Sequence, residues 1–116
     1  MSVRVMSLVF DAPIDDIEYT DSVGKKHKLK ASTAKLVLLA YADHSNDVGE
    51  AAYPSIKRLM RKTALTRRGL QKAISALVQS NYLLPKGTSR LGTNDFKINV
   101  TLLLKKIEDA NDGKSE

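Results

Sequence analysis

The chain has no cysteine. Disulfides and thiolate zinc sites are excluded, and nothing in it calls for an oxidising compartment. A cytosolic setting fits best. Long apolar runs are also missing. The longest, Leu36 to Ala42, falls far short of the roughly 20 residues that span a bilayer. No basic patch leads into an apolar stretch at the N-terminus, so no secretory signal is expected. Aromatics are few. Tyr19, Tyr41, Tyr53 and Tyr82 are too dispersed to form a stacking platform, which argues against single-stranded RNA recognition.

The most informative absence concerns charge. Between Glu50 and Asp95 there is no acidic residue, while the same stretch holds Lys57, Arg58, Arg61, Lys62, Arg67, Arg68, Lys72, Lys86 and Arg90. The remaining ten basic residues face all thirteen acidic ones. A net charge of +6 is by itself a weak pointer to an anionic partner. Segregation of the charges is a stronger one, because a domain without such a partner intersperses its signs. The bland alternative is a solvated basic face.

Recognisable catalytic chemistry is missing too. There is no nucleophile motif, no phosphate-cradling glycine loop and no paired-carboxylate arrangement. The reading therefore assigns no catalytic residue, no metal, no cofactor and no small-molecule substrate. Asp43, His44 and Asp47 could suggest a metal or acid–base site. However, His44 falls where a helix is expected to end, and a histidine there is favourable against the helix dipole. His27 stands in a lysine-rich stretch without an obvious partner.

What is present is one domain's worth of chain: 116 residues, 42% of them apolar. Ser2 to Phe10, with β-branched Val3, Val5 and Val9, reads as a short strand. Ile17 to Lys30 carries the turn signal Ser22-Val23-Gly24 and reads as a hairpin or a loop. Lys25, Lys26, Lys28 and Lys30 cluster there, offset by Asp15, Asp16, Glu18 and Asp21. A helix is expected from about Thr33 to His44, with Ser32 or Thr33 as cap. Its broad apolar surface suits the middle of a small domain. After Pro54 a second helix begins near Ser55, with Ile56, Leu59 and Met60 on its buried stripe. Thr63-Ala64-Leu65 breaks it, and Thr66 caps a third helix reaching about Ser80. Leu70, Ala73, Ile74, Leu77 and Val78 of that helix face the core. Tyr82 to Leu84 reads as a strand, Pro85 to Asn94 as a long turn, and Asp95 to Leu102 as a half-buried strand. The chain is polar from Glu108 and reads as disordered.

Helix, helix, short turn, helix and hairpin describe a helix-turn-helix followed by a wing. A helix fits the major groove of duplex DNA, and its first turns reach base edges while the preceding helix lies over the backbone. Thr66, Arg67, Arg68, Gln71, Lys72 and Ser75 occupy the outward positions of the third helix. Arginine pairs bidentately with guanine and glutamine with adenine. Ser55, Lys57 and Arg58 of the preceding helix are assigned to phosphate. Lys57, Arg58, Arg61 and Lys62 sit on different sides of that helix, so some of them must point away from DNA. At the hairpin tip, Lys86, Thr88, Ser89 and Arg90, flanked by Gly87 and Gly92, suit a wing along a phosphate strand or in the minor groove. Gly69 is costly in a helix, by about 1 kcal/mol against alanine. It reads either as room for a close approach or as drift.

These segments resemble a known family. Lys35 to Asp47, Tyr53-Pro54-Ser55-Ile56 with Leu59, and Leu65-Thr66-Arg67-Arg68 followed by Leu70-Gln71-Lys72-Ala73-Ile74 are similar to the small winged helix-turn-helix domains of phage and prophage proteins. Such domains stand at the N-terminus of phage replication proteins and replisome organisers, and in prophage transcription regulators. The resemblance covers about residues 34 to 100. It implies a recognition helix over Thr66 to Ser75 and a wing over Lys86 to Asn94. Two positions depart from it. The family often has threonine or serine where Gly69 stands, and usually tryptophan where Tyr53 stands.

The expected fold is α+β, mainly α: a winged helix-turn-helix with a three-helix core and a C-terminal β-hairpin wing. Residues 1–30 form an N-terminal extension, 31–104 the DNA-binding domain, and 105–116 a polar tail or the start of a linker. The expected partner is double-stranded DNA, in the cytoplasm of a bacterial host and associated with its nucleoid. The alternatives are an operator-binding repressor and a protein-interaction module, with a homodimer or a replication or transcription protein as partner. No membrane association is expected.

Overall fold

The computed structural model describes residues 2–46, 48, 54–88 and 94–113. Helices dominate, and two small antiparallel sheets of two strands each complete the fold. Among the described residues nine elements follow in order: α1 (Val3–Asp11), β1 (Ile17–Thr20), β2 (Lys26–Leu29), α2 (Ala31–Ala42), α3 (Ile56–Thr63), α4 (Arg67–Gln79), β3 (Leu83–Thr88), β4 (Asn94–Ile98) and α5 (Val100–Gly113).

Helix α2 runs through the middle of the molecule and packs against α1, α3, α4 and β4. Ala34, Val37, Leu38 and Ala42 are fully buried, and Ala40 and Tyr41 nearly so. A helix apolar nearly all round has to sit in this position. Leu59 of α3, Leu70 and Leu77 of α4, Leu83 of β3, Ile98 of β4 and Leu103 of α5 close the core around it. The start of α2 differs from expectation. Neither Ser32 nor Thr33 caps it. The helix begins two residues earlier, with Lys30 at the cap position and no side-chain bond from it. The Ala31 amide donates instead to Asp16 Oδ1 at 2.9 Å. An acidic group fifteen residues upstream thus does the work of a local cap.

The N-terminal segment is helical where a strand was expected. Val5 and Val9 are fully buried while Val3 and Phe10 are exposed, a spacing of four that fits a helix and not a pleat. Ser2 caps α1, its hydroxyl accepting from the Val5 amide at 3.1 Å. Strands β1 and β2 form the hairpin expected as one of two readings, with Ile17 opposite Leu29 and Thr20 opposite Lys26. Gly24 sits at φ +85 in its turn, a conformation open to glycine and strained for other residues.

The C-terminal part also corrects the sequence reading. The segment Pro85 to Asn94 is not all turn. Strand β3 continues to Thr88 and β4 begins at Asn94. Pro85 pairs with Phe96 and Gly87 with Asp95, so Lys86 is the extra residue of a bulge. Strand β4 stops at Ile98, short of the expected Leu102. The Asn99 side chain accepts from the Leu102 amide at 3.2 Å and starts α5. Helix α5 runs to Gly113, so the segment expected to be a disordered tail is helical over most of its length. It packs against α1. No helix among the described residues is long and apolar enough to cross a membrane.

Candidate nucleic-acid interface

Helices α3 and α4 are joined by three residues, Ala64, Leu65 and Thr66. Ala64 closes α3 in the left-handed region at φ 60, and its amide donates to the Met60 carbonyl at 2.9 Å. Thr63, buried just before it, donates its hydroxyl to the Leu59 carbonyl at 2.7 Å. The same oxygen accepts from the Leu65 amide at 3.3 Å. One buried side chain therefore fixes the turn that sets α4 against α3. Ser55 begins α3 by accepting from the Arg58 amide at 3.1 Å. Thr66 begins α4 by accepting from the Gly69 amide at 3.1 Å. Both serve as N-caps, Thr66 as expected and Ser55 at the residue where its helix was expected to begin.

The polar side of α4 is arranged as its spacing predicted. Arg67, Arg68, Gln71 and Lys72 are exposed, while Leu70, Ala73 and Leu77 are buried. Ile74 and Val78 are half-buried at the core's margin. Ser75 is half-buried and accepts a hydrogen bond from Gln79 Nε2 at 3.1 Å. The first hydrogen bond inside α4 is made by the Leu70 amide to Thr66. The amides of Arg67 and Arg68 precede it, which leaves a positive helix end beside two guanidinium groups.

Ser55, Lys57 and Arg58 are exposed on α3, as are Arg61 and Lys62. Lys62 ion-pairs with Asp43 at the end of α2. That bond holds the Asp43 carboxyl below the usual carboxylate range. Lys62 is thereby drawn toward α2. Among the described residues, none of the exposed cations of α4 makes an ion pair. Strand β3 places Lys86 and Thr88 on the hairpin that follows α4. Ser89, Arg90 and Gly92, the expected tip, lie outside the described residues, as do Asp47 and Tyr53.

Gly69 has an immediate structural context. A methyl group there would meet the hydroxyl of Thr66, the cap of its own helix, at 3.2 Å. The close neighbour is the cap and not another helix.

His44 is not used as expected. Helix α2 ends at Ala42, and His44 lies in the following turn. Its Nε2 is buried and has no hydrogen-bond partner among the described residues. Desolvation first, and then the charge of Lys62, push its pKa below the ordinary histidine value. Burial disfavours the charged form on which a favourable helix-dipole interaction depends. Among the described residues no cluster of three or more His, Asp or Glu could hold a metal ion.

Sequence reasoning gave no binding role to two further features. Gln79 was expected simply to face outward from α4. Its side chain instead grips strand β1, accepting from the Thr20 amide at 3.0 Å and donating to the Thr20 carbonyl at 2.7 Å. The lysines of the first hairpin, visible as four within residues 25 to 30, are all exposed. They lie on an element that packs against α4.

Residues 31–83 match the family model described as a helix-turn-helix domain. The match spans α2, α3, α4 and the start of β3, a little under half of the chain. No curated protein and no solved structure gives a match. The match and the geometry of α3 and α4 agree on a helix-turn-helix, a unit that suggests DNA binding.

Proposed function

We propose that the chain binds duplex DNA sequence-specifically, as a winged helix-turn-helix with α4 in the major groove. The observation that carries this reading is the exposed face of α4. It presents Arg67, Arg68, Gln71 and Lys72 with no acidic partner among the described residues. Arg68 and Gln71 read base edges; Arg67 and Lys72 hold flanking phosphates. The caps of the two helices, Ser55 and Thr66, keep exposed hydroxyls that can also serve phosphate. Lys57 and Arg58 steady the backbone, and the β3–β4 hairpin is the wing. Phosphate contacts supply most of the affinity. No catalytic step is assigned to the chain.

Of the biological roles, a replication initiator or origin-binding module from a phage, prophage or plasmid is favoured. Its support is the resemblance of the α2, α3 and α4 segments to phage replication proteins. An operator-binding regulator uses the same surface, and the genomic position of the preferred site separates the two.

The test is a fluorescence titration of the protein against random duplex DNA at several salt concentrations, with a pool of phage and genomic fragments as competitor. Affinity should fall steeply with salt, and some fragments should compete far better than others. Arg68→Ala should reduce that preference by roughly ten-fold or more, the worth of a good bidentate base contact. Absence of binding at low salt overturns the reading.

A further inference from the structure

The exposed side of α4 does not end where the helix does. Arg68, Lys72, Ser75 and Gln79 recur at spacings of four, three and four, so they form one stripe along the helix. At its far end Gln79 holds both backbone groups of Thr20, the last residue of β1. Thr20 is paired across the hairpin with Lys26. Gln79, Thr20 and Lys26 line one shallow cleft together with Glu18 and Tyr19. The stripe therefore passes directly onto the β1–β2 hairpin.

That hairpin has two unlike faces. Ile17, Tyr19 and Leu29 are buried. Lys26 and Lys28 alternate with them and are exposed, and Lys25 is exposed at the turn. Asp15, Asp16, Glu18 and Asp21 stand nearby, equal in number to the four lysines, but none of them ion-pairs with a lysine of the hairpin among the described residues. Asp21 is occupied by His27 Nε2 at 2.8 Å and by the amides of Val23 and Lys25. Glu18 stands opposite Lys28. Lys25 and Lys26 make no ion pair among the described residues.

We propose that the β1–β2 hairpin is a second phosphate-binding arm. In this arrangement Lys25 and Lys26 hold the DNA backbone beside the groove that α4 enters. The inference rests on the reading of α4 as the DNA-facing helix. It adds to that reading a contact at the opposite end of α4 from Arg67. Charge selects the occupant: the hairpin offers flexible ammonium groups without an apolar pocket or a planar fork, which suits a phosphate backbone and carries no base preference. The contact lengthens the footprint and raises affinity for every sequence alike.

The experiment compares the parent, Lys25→Gln/Lys26→Gln, Lys25→Arg/Lys26→Arg and Arg68→Ala on preferred and random duplexes over a range of salt. Each lost phosphate contact makes the slope of log K against log salt shallower by about 0.9. The glutamine pair should be shallower by about two such steps and bind both duplexes several-fold more weakly, with the ratio between them unchanged. The arginine pair should restore the slope. Arg68→Ala should change the ratio. An unchanged slope in the glutamine pair, with Arg68→Ala still altering the ratio, overturns the arm and leaves α4 as the reader. A parent that binds no duplex overturns both.

Discussion

Single residues carry the junctions of this molecule, and their contributions can be measured one at a time. Thr66 accepts from the Gly69 amide and starts α4. Thr66→Ala should cost about 1 kcal/mol in urea unfolding, the usual worth of such a cap. Gly69 pulls the other way. Its neighbour at 3.2 Å is the hydroxyl of Thr66, a short side chain that can shift by a few tenths of an ångström. The gain in helix propensity should win, so Gly69→Ala should stabilise by up to about 1 kcal/mol. If stability falls instead, the cap is too tightly held to yield. His44 adds a pH dependence. Its pKa is lowered in the fold, so the unfolded chain takes up a proton that the folded chain refuses. Stability is therefore lost as pH falls through the ordinary histidine range. The urea midpoint should drop between about pH 7.5 and about pH 5.5, and drop less in His44→Gln. Thr66 was legible as a cap because it bonds within its own first turn. The Asp16 cap of α2 was not, because its donor lies fifteen residues away and only the folded hairpin brings them together.

At the scale of elements, the sequence was readable where one period dominated. Leu70, Ala73, Ile74, Leu77 and Val78 allow only one helix face, and α4 lies within a residue of its expected bounds. The ends of the chain offered two periods at once. Val3, Val5 and Val9 are β-branched and look like a strand. Burial of Val5 and Val9 alone satisfies a helix, and packing against α2 and α5 decides the matter. Phe96, Ile98 and Val100 continue one alternation, but Asn99 caps a new helix within it. Beyond that point Val100, Leu103 and Ile107 make a helical stripe hidden among lysines and acids. Leu103 tests whether α5 belongs to the core. It is fully buried, so Leu103→Ala should cost about 2–5 kcal/mol in urea unfolding. A change below about 0.5 kcal/mol, the range of surface substitutions, would place α5 outside the cooperative unit.

For the whole molecule the governing feature is separation of charge. The acid-free stretch was fully legible, since counting requires no structure. Its arrangement was less so, because Lys62 is paired with Asp43 across nineteen residues. Lys62→Ala should therefore weaken DNA binding less than Lys57→Ala or Arg58→Ala does, when the three are titrated at one salt concentration. The grip of Gln79 on Thr20 has a second consequence, for the behaviour of many copies together. A free strand edge is a template on which another chain can add. Gln79 occupies both backbone groups of Thr20 and so acts as a stopper on the outer edge of β1. Gln79→Ala should leave that edge open, and light scattering should then detect more concentration-dependent association than in the parent. One amide side chain would in that case guard the solubility of the protein as well as the shape of its surface.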